Sequence, residues 1–460
     1  MSTTELVEYL DVVDPATEEI LGRVPVGTAG DADRAVRAAR SAFPGWAATP
    51  LRGRTALLRA LRDTLAGRVD EIARTICRDV GTPIRMASRI QAVLPLSDID
   101  GVVAAVEAEQ SEERIGNSLV VREAAGVVAA ITPWNYPLHQ IMAKLAPALA
   151  AGCTVVVKPS EVAPLVCGVL VEALQVAGFP DGVVTVVHGT GPGVGHALVA
   201  HPEVDVVSFT GSTAAGARVA ATAAQTIKRV SLELGGKSAN VVLDDADLDT
   251  AVKVGVANAF LNSGQTCTAW TRMLVPAERH EEALALASAY ASRFVPGDPL
   301  DPTTRLGPVV SDAQRERVRG FIRAALEDGA RLVAGGVEAP DGRERGYFVS
   351  PTVLGGVDPD STLAQEEIFG PVLAVIPHRG DGHALEIANN SRYGLHGAVW
   401  AGDRARGLAF ARQVRTGQID VNGAAHNPDA PFGGYKASGV GREGGRFGLS
   451  EFREIKSIQL

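Results

Sequence analysis

The 460-residue sequence is poor in cysteine, in aromatic residues and in excess positive charge, and each shortage excludes a class of protein. Its four cysteines form no CxxC pair, so a disulfide framework is not expected, and no metal site is predicted. Aromatic residues make up 5% and the formal net charge is −9. Nucleic acid is therefore not expected as a partner, because phosphate binding needs clustered cations and base binding needs stacking rings.

Long apolar runs are also missing. The longest, such as residues 124–131, are far too short to span a bilayer. Residues 1–10 carry Glu5 and Glu8 and lack the basic and apolar regions of a signal peptide. We therefore expect no membrane partner and a cytoplasmic location.

What the sequence does contain is the texture of an α/β protein. Hydrophobic residues make up 46% and charged residues 21%, which is typical of soluble globular proteins. From residue 126 onward, short β-rich runs alternate with Ala-rich helical segments. The predicted strands are 126–131, 154–158, 183–188, 204–209 and 230–234, and the predicted helices are 138–151, 163–177 and 213–224. This alternation predicts a parallel sheet covered on both faces, which binds ligands at the carboxyl ends of its strands.

A second β/α series begins after Gly236 and predicts a second α/β domain. Its strands are expected at 239–243 and 273–275, and its helices at 248–262, 281–293 and 312–328. In the first third of the chain, apolar residues three and four positions apart predict one helix over residues 54–80. Another helix is expected over residues 31–42, beginning at an Asp31 cap.

Three residues are candidates for catalysis. Asn135 follows a predicted strand, where its amide can form half of an oxyanion hole, although on spacing alone a plain turn residue is the simpler interpretation. Cys267 lies in a polar, glycine-containing segment, although a lone cysteine is often only a small buried side chain. Glu233 lies in an apolar strand, where a carboxylate is costly to bury unless it functions or pairs. A cysteine with a carboxylate base suits covalent catalysis on a carbonyl group.

Other segments have the character of a nucleotide site. Lys158 and Glu161 follow a strand and can both reach a ribose, or can form a solvated charge pair. The run 189–195 is rich in glycine but does not fit GxGxxG. The turn 209–212 precedes a helix, whose N–H groups can receive a phosphate, although a plain tight turn is the simpler interpretation of either glycine loop alone.

Together these segments resemble the aldehyde dehydrogenase superfamily, in its hydrolytic, NAD(P)-dependent branch, over nearly the whole chain. The matches are Pro133-Trp134-Asn135, Lys158-Pro159-Ser160-Glu161, Phe209-Thr210-Gly211-Ser212, Glu233-Leu234-Gly235-Gly236-Lys237, Gly264-Gln265-Thr266-Cys267, Glu366-Glu367-Ile368-Phe369-Gly370-Pro371 and Pro431-Phe432-Gly433-Gly434-Tyr435-Lys436. The family's glycine loop, GxGxxxG, fits Gly189, Gly191 and Gly195.

The resemblance implies that the enzyme oxidises an aldehyde to a carboxylic acid. Cys267 would attack the aldehyde carbon, and the Asn135 amide with the Cys267 N–H would hold the oxyanion. Glu233 would activate the water that hydrolyses the thioester, and Lys144 would lie near Glu233 and Cys267. A CoA-acylating dehydrogenase and an inactive structural relative stay open as alternatives. Glu233 argues against the first, and the joint presence of the three catalytic candidates argues against the second.

The resemblance also implies the cofactor contacts and the cofactor. The implied contacts are Ile131, Thr132, Pro133, Trp134, Lys158, Ser160, Glu161, Gly191, Gly195, Phe209, Thr210, Gly211, Ser212, Leu234, Glu367 and Phe369. Lys158 and Glu161 would contact the adenosine ribose, and Glu367 the nicotinamide ribose. NAD is expected, with NADP possible, because the Glu161 carboxylate would repel the 2′-phosphate.

The implied architecture has a Rossmann-like parallel-sheet cofactor domain, a second α/β catalytic domain and a small β bridging or oligomerisation element. The cofactor domain is expected at residues 1–106 with 126–236, the catalytic domain at 237–445, and the bridging element at 107–125 with 446–460. The resemblance also implies a homodimer or homotetramer. The substrate tunnel would be lined by Tyr136, His139, Gln140, Leu261, Thr268 and the loop 424–429. No arginine lies among them to bind a carboxylate, so a medium-chain or aromatic aldehyde is the predicted substrate.

Overall fold

The computed structural model describes residues 8–110 and 112–460. Residues 1–7, which hold most of the segment judged not to be a signal peptide and the start of the predicted cofactor domain, lie outside the described residues. Ser111, in the predicted bridging segment, lies outside them as well.

Strands and helices alternate along most of the described chain. The strands are β1 (Tyr9–Val13), β2 (Ile20–Pro25), β3 (Glu112–Ile115), β4 (Ser118–Ala124), β5 (Val127–Ile131), β6 (Thr154–Lys158), β7 (Val184–Val186), β8 (Val206–Thr210), β9 (Arg229–Glu233), β10 (Ala239–Val242), β11 (Arg272–Pro276), β12 (Arg331–Ala334), β13 (Thr352–Gly355), β14 (Val372–His378), β15 (Gly397–Trp400), β16 (Asp420–Val421), β17 (Gly439–Val440) and β18 (Arg453–Gln459). The helices are α1 (Ala29–Ala47), α2 (Leu51–Ala66), α3 (Val69–Val80), α4 (Ile84–Met86), α5 (Leu94–Ala108), α6 (Pro137–Ala151), α7 (Val166–Ala177), α8 (His196–Ala200), α9 (Thr213–Ala224), α10 (Leu248–Ala259), α11 (His280–Ala291), α12 (Asp312–Glu327), α13 (Thr362–Gln365), α14 (Asp381–Asn389), α15 (Arg404–Ala411) and α16 (Gly445–Ser450). Single helical turns of other types occur at Ala87–Gln91, Gly191–Gly195, Leu261–Gly264, Ala277–Arg279 and Lys436–Ser438.

The first large sheet has the order β17-β9-β8-β5-β6-β7, and all its pairings are parallel except that of β17 with β9. Strands β5, β6 and β8 are buried along their whole length, which explains their continuous apolar sequences. Helices α1, α8 and α9 pack on one face, and α2, α3, α5, α6 and α7 pack on the other. This arrangement is the predicted Rossmann-like sheet.

The second large sheet has the order β12-β13-β14-β11-β10-β15-β16, with only the β12 pairing antiparallel among the described strands. Helices α10 and α11 cover one face, while α12, α13, α14 and α15 cover the other. The predicted second α/β unit is therefore present. Its strands end beside those of the first sheet, and this junction holds the candidate site.

A small antiparallel sheet joins β3 and β4 to the C-terminal strand in the order β18-β4-β3. Its strands fall in the two segments predicted to form the bridging element. Strand β17 lies within the predicted catalytic segment, yet it pairs with Leu232 and Glu233 of β9 in the first sheet. The domain boundaries themselves stay a prediction.

Three local expectations from the sequence were wrong. The single helix predicted over residues 54–80 is divided into α2 and α3, with Gly67 as the C-cap of α2. The apolar spacing continues across this break because Leu65 and Ile72 pack into the same core, so the periodicity contains no sign of it.

The second error concerns the start of α1. Thr28 is the N-cap, and its hydroxyl accepts a hydrogen bond from the N–H of Asp31, while the Asp31 carboxylate accepts one from the N–H of Thr28. Asp31 is therefore the third residue of a capping box and not the cap. The helix expected over 248–262 also ends early, at Ala259.

Within the described residues, no helix combines the length and the apolar character that crossing a bilayer requires.

Candidate active site

The strand ends of the two large sheets enclose a cavity of about 500 Å³. The predicted site residues in its lining are Pro133, Trp134, Asn135, Thr210, Gly211, Ser212, Leu234, Cys267, Glu367 and Phe369. The other described residues that were predicted for the site lie outside this lining: Ile131, Thr132, Lys144, Lys158, Ser160, Glu161, Gly191, Gly195, Phe209 and Glu233. The carboxyl ends of parallel strands thus meet where a ligand site is expected.

Cys267 is presented by a loop whose backbone reverses sharply after α10. Asn262 and Ser263 adopt φ values of 52° and 57°, which are uncommon for residues other than glycine. Gly264 follows with φ 74°, and a Cβ there would lie 2.0 Å from the carbonyl oxygen of Gly370. The loop therefore requires glycine at this position, as the Gly264-Gln265-Thr266-Cys267 motif provides.

Hydrogen bonds hold this strained loop in place. The Asn262 amide donates to the backbone oxygen of Asn135 at 2.9 Å, and its Oδ1 accepts from Thr82 Oγ1 at 2.7 Å. Gln91 Nε2 donates to both Thr82 Oγ1 and the Asn135 carbonyl at 3.2 Å. These buried bonds link the loop to the segment between α3 and α5, and they position it against Asn135.

The Asn135 side chain is fixed beside the nucleophile loop. Its Nδ2 donates to the backbone oxygen of Gln265 at 3.0 Å, and the residue is 2% exposed. A primary amide has two N–H hydrogens, so one of them stays available for an oxyanion formed at Cys267.

The surroundings of Cys267 favour its neutral thiol. Burial raises the pKa of Cys267 to about 12, and the carboxylates of Glu367 and Glu233 contribute in the same direction. The sulfur is therefore an uncharged thiol at neutral pH, and it needs a proton acceptor to become a nucleophile.

Glu233 lies at the end of β9 with its carboxyl group buried. Burial raises its pKa well above the ordinary value, and the Glu443 carboxylate adds to this, while Lys144 acts against it. In the part of the chain that the structure describes, neither Glu233 carboxyl oxygen has a hydrogen-bond partner. A buried carboxyl group with free oxygens is available to act as a general base, and its raised pKa makes it a stronger base than an exposed carboxylate.

Lys144 was expected near Glu233 and Cys267, but its direct partner is Glu443. Its Nζ donates to Glu443 Oε1 at 2.5 Å, and the two side chains are 1% and 11% exposed. The sequence analysis did not predict Glu443, because this residue belongs to a glycine-rich tail that is far from Lys144 and Glu233 along the chain. A catalytic role for Lys144 stays a prediction.

On the adenosine side of the predicted cofactor site, Glu161 connects two of the predicted segments. Its carboxylate accepts from Lys158 Nζ at 2.6 Å and from the N–H of Gly191 at 3.1 Å. Burial opposes its ionisation, but Lys158 and the backbone N–H groups, including that of Gly191, together outweigh burial and lower the pKa of Glu161. Ser160 Oγ accepts from the N–H of Val162, and Gly195 closes the helical turn that leads into α8.

The turn after β8 forms the start of α9. The Ser212 hydroxyl caps this helix by accepting from the N–H of Ala215 at 3.3 Å. The Thr132 and Thr210 hydroxyls are buried without hydrogen-bond partners in the described part of the chain. Unpaired buried hydroxyls and a helix N-terminus beside a cavity suit a polar, anionic ligand.

The opposite side of the cavity is built around Glu367. Its Oε1 accepts from the N–H of Gly236 at 3.0 Å, and burial raises its pKa to about 7. A Cβ on Gly235 would lie 2.4 Å from Glu367 Oε2, so glycine is needed for this close approach. Arg317 supports the segment by donating to the backbone oxygen of Glu367 at 2.7 Å.

Phe369 also has a left-handed backbone, with φ 63°. Gln314 Nε2 donates to its carbonyl oxygen at 2.8 Å, and its ring meets Trp134 edge to face at 5.3 Å. Gln314 and Arg317 line the cavity and were not predicted; both lie on α12, and their helical segment offers no local motif.

The residues expected in the substrate tunnel continue from the nucleophile loop along α6. Tyr136 Oη and Thr266 Oγ1 form a hydrogen bond of 3.0 Å, next to Cys267. Tyr136 and Gln140 are buried, and His139 is bonded to Asp98.

A family model described as the aldehyde dehydrogenase family matches residues 2–458. The chain therefore belongs to the aldehyde dehydrogenase family, and it is an oxidoreductase. Among similar solved structures, aldehyde dehydrogenase C from Pseudomonas syringae, a cysteine-to-alanine variant with NAD+ and octanal, has 44% identity and a TM-score of 0.98, covering 100% of this chain and 94% of that one. A Mycobacterium tuberculosis aldehyde dehydrogenase with NAD+ has 41% identity and a TM-score of 0.97, covering 100% and 96%. The predicted α/β fold class is confirmed.

A curated relative from a Pseudomonas species is 49% identical over 449 residues, which is 97% of this chain and 94% of the relative. It is named 3-succinoylsemialdehyde-pyridine dehydrogenase.

Proposed function

We propose that this enzyme oxidises a medium-chain or aromatic aldehyde to the carboxylic acid with NAD+, through a covalent intermediate on Cys267. The observation that carries the mechanism is the bond from Asn135 Nδ2 to the Gln265 carbonyl, which fixes an amide donor beside the Cys267 loop. The roles of the individual residues follow from where the chain holds them.

The first step is addition of the Cys267 sulfur to the aldehyde carbon, after the thiol proton has passed to water. The carbonyl oxygen becomes an oxyanion, which the free N–H of the Asn135 amide and the N–H of Cys267 stabilise. The carbon then loses a hydride, and a thioester to Cys267 is left.

Residues around the cavity fit NAD+. The unpaired Thr132 and Thr210 hydroxyls and the cap of α9 suit its phosphate and ribose groups. Bound NAD+ supplies the acceptor for the hydride. Glu161, which is bonded to Lys158, favours NAD+ over NADP+ because its carboxylate repels the 2′-phosphate. The two similar structures named above both contain NAD+.

Hydrolysis of the thioester completes the reaction. Glu233 takes a proton from water as its oxygen attacks the thioester carbon. The C–S bond then breaks, the acid leaves, and the proton passes from Glu233 to the Cys267 sulfur. No CoA is needed when a buried base serves water in this way.

The substrate class rests on the tunnel side chains. Tyr136, Leu261 and Gln140 offer apolar surface and neutral polar groups. One similar structure contains octanal, and a similar enzyme is named for a pyridine semialdehyde. A chain-like or ring-bearing aldehyde fits both.

We also propose assembly as a homodimer or homotetramer through the sheet β18-β4-β3, which carries exposed apolar side chains. Ile115, Ile455 and Ile458 are 58%, 71% and 40% exposed. A cytoplasmic location is supported by the free thiols of Cys77, Cys153, Cys167 and Cys267, which suit a reducing compartment.

The test is Cys267→Ala, measured as NADH formation from octanal without added CoA. We expect activity to fall at least about a thousandfold, while calorimetric titration shows NAD+ affinity like that of the parent. Higher residual turnover would remove Cys267 from the mechanism, and a strict need for CoA in the parent would favour the acylating alternative.

A further inference from the structure

Among the described residues of α6, Gln140 alone lines the cavity that also holds Cys267 and Asn135. The residue is 7% exposed, so its amide is shielded from bulk solvent. It takes no part in the catalytic steps described above. The proposed mechanism thus leaves a buried polar side chain in the cavity wall without a role.

Gln140 lies at the end of the cavity that contains the nucleophile. Its backbone N–H donates to the carbonyl oxygen of Tyr136 at 2.9 Å, so Gln140 is one helical turn beyond Tyr136 and on the same face of α6. Tyr136 Oη is 3.0 Å from the hydroxyl oxygen of Thr266, the neighbour of Cys267. An aldehyde bound at Cys267 therefore occupies a cavity whose wall includes the Gln140 amide.

Neither end of the Gln140 amide has a hydrogen-bond partner among the described residues. Oε1 is fully shielded and unpaired. Nε2 is not among the fully shielded unpaired atoms, and no described group accepts from it, so it keeps an accessible surface. Because Gln140 lines the cavity, this surface is open to a bound molecule. A primary amide nitrogen carries two N–H groups, so Gln140 offers donors to that molecule.

The charges of the cavity favour an uncharged acceptor over a carboxylate. The charged residues of the lining are Arg317, Arg392, Glu366 and Glu367, so the lining has no net formal charge. Arg392 donates to the Glu366 carboxylate at 2.8 Å, and Arg317 donates to the Glu367 carbonyl at 2.7 Å. A substrate carboxylate would lose its hydration here without gaining a net positive charge, whereas an uncharged carbonyl oxygen loses much less.

The cation that follows on α6 is matched by a carboxylate. Lys144 lies one turn beyond Gln140, and its Nζ donates to Glu443 Oε1. Both side chains of this pair are buried, at 1% and 11% exposure. The Lys144 ammonium is therefore engaged by Glu443 and gives a substrate carboxylate little reason to settle beside Gln140.

We propose that Gln140 is a specificity residue whose amide N–H donates a hydrogen bond to an uncharged acceptor, such as a ketone oxygen, on the aldehyde substrate. This inference rests on the proposed function and deepens it, because it defines the preferred substrate as an aldehyde with a second, uncharged polar group inside the same cavity. An amide keeps its N–H groups at any physiological pH, so the contact needs no change of protonation.

The test compares octanal, octanals with a ketone at successive mid-chain carbons, and an aldehyde of the same length that ends in a carboxylate. For the parent we expect kcat/KM to be highest for one of the keto aldehydes. In Gln140→Met the ratio of kcat/KM for that keto aldehyde to kcat/KM for octanal should fall about threefold to tenfold, the effect of losing one neutral hydrogen bond. The loss should appear mainly in KM, because the contact is made in the bound substrate as well as in the transition state.

Two further measurements separate hydrogen bonding from structural damage. Methionine has a similar length, and Gln140→Met removes no side-chain hydrogen bond within the described chain, so its Tm should be no lower than that of the parent. Cys267→Ala with NAD+ reports substrate binding without the reaction. There, calorimetric titration should show tighter binding of the keto aldehyde than of octanal, and adding Gln140→Met should remove this difference. Gln175→Met is the matched control, since Gln175 is an exposed glutamine on helix α7 outside the cavity lining; its ratio should equal that of the parent.

The outcomes distinguish this proposal from the proposed function. If the parent oxidises octanal but the ratio is the same in the parent and in Gln140→Met, the amide binds only water, so the specificity role is wrong and the mechanism stands. An equal loss for every aldehyde also overturns that role. If the carboxylate aldehyde loses most in Gln140→Met, the site binds an anion and the uncharged assignment is overturned. If the parent oxidises none of these aldehydes, the proposed function fails, and this inference fails with it.

Discussion

Glu233 has a buried carboxyl group, two oxygens without partners and a raised pKa, so its environment suits proton transfer more than ion pairing. We expect Glu233→Gln to lower the steady-state rate by about 10² to 10⁴ fold, the usual cost of losing a general base. Hydride loss precedes hydrolysis, so one equivalent of NADH should still form rapidly in a stopped-flow experiment.

Glu278→Gln is the control, because Glu278 is exposed on a distant turn. The assignment of Glu233 to hydrolysis fails if its variant binds NAD+ but loses the NADH burst together with the steady-state rate. Glu233 would then act earlier, as the base that deprotonates Cys267.

Glu161 determines the expected preference between the two nicotinamide cofactors. Two unit charges about 4 Å apart repel by roughly 4 kcal/mol at an effective dielectric near 20 and by about 1 in water. The Glu161 side chain is 30% exposed, and Lys158 attracts the 2′-phosphate, so we expect a preference for NAD+ of about 10 to 100 fold. In Glu161→Gln, kcat/KM for NADP+ should rise much more than kcat/KM for NAD+ changes. Equal use of both cofactors by the parent, or an unmoved ratio in the variant, would contradict this account.

The cysteine loop is the element that sets the catalytic geometry, and Asn262 is its central residue. Asn262→Ala would remove the buried bonds to the Asn135 carbonyl and Thr82, while the backbone would keep its left-handed conformation. We expect Tm to fall, because each buried bond contributes about 1 kcal/mol and left-handed strain costs about 1 to 2 kcal/mol. We expect kcat to fall at least about tenfold, because the loop then loses its bond to the Asn135 segment.

Asn262→Gly separates the two effects, because glycine adopts this backbone freely but makes no side-chain bond. It should recover part of Tm and little of kcat. Full recovery of kcat in the glycine variant would show that the side chain does not position Asn135.

The sequence alone was sufficient for elements with a strong local pattern. Strand β6 and helix α9 have the bounds expected for them, because a continuous apolar run and an Ala-rich segment after a serine cap are local signals. Contacts between distant segments had no such signal. Nothing near Glu443, Thr82 or Gln314 in sequence indicates which side chains they meet, since the folding of both sheets brings those partners together.

The strained backbone of the cysteine loop was also not predicted from the sequence. Asn262 and Ser263 were expected at the end of a helix and just beyond it, and only the close approach of Gly264 to Gly370 explains why the chain turns there. The resemblance named Cys267, which lines the cavity, but only the structure shows the bonds that hold its loop.

For the whole molecule, the sheet β18-β4-β3 determines the expected assembly. Successive side chains of a strand point to opposite faces, so Ile455 and Ile458 expose apolar surface on both faces of this sheet. Replacing both with glutamate should convert the assembly to monomers, measured by analytical ultracentrifugation, because burying two carboxylates is costly.

Val295→Lys provides the control, since Val295 is 68% exposed and follows α11, which packs on the second large sheet. A parent that sediments as a monomer, or a double variant with the parental mass, would exclude this sheet as the interface.

Strand β17 has a consequence for the order in which the protein is made. It covers the edge of β9 that carries Glu233, and the Leu234 N–H donates to the Ser438 carbonyl at 2.9 Å. All of the second large sheet is translated between these two strands. During synthesis the edge beside Glu233 therefore stays uncovered until the last part of the chain leaves the ribosome, and the site is completed only then. A truncated product lacking this tail would hold a cofactor sheet with an open edge, which is a surface prone to aggregation.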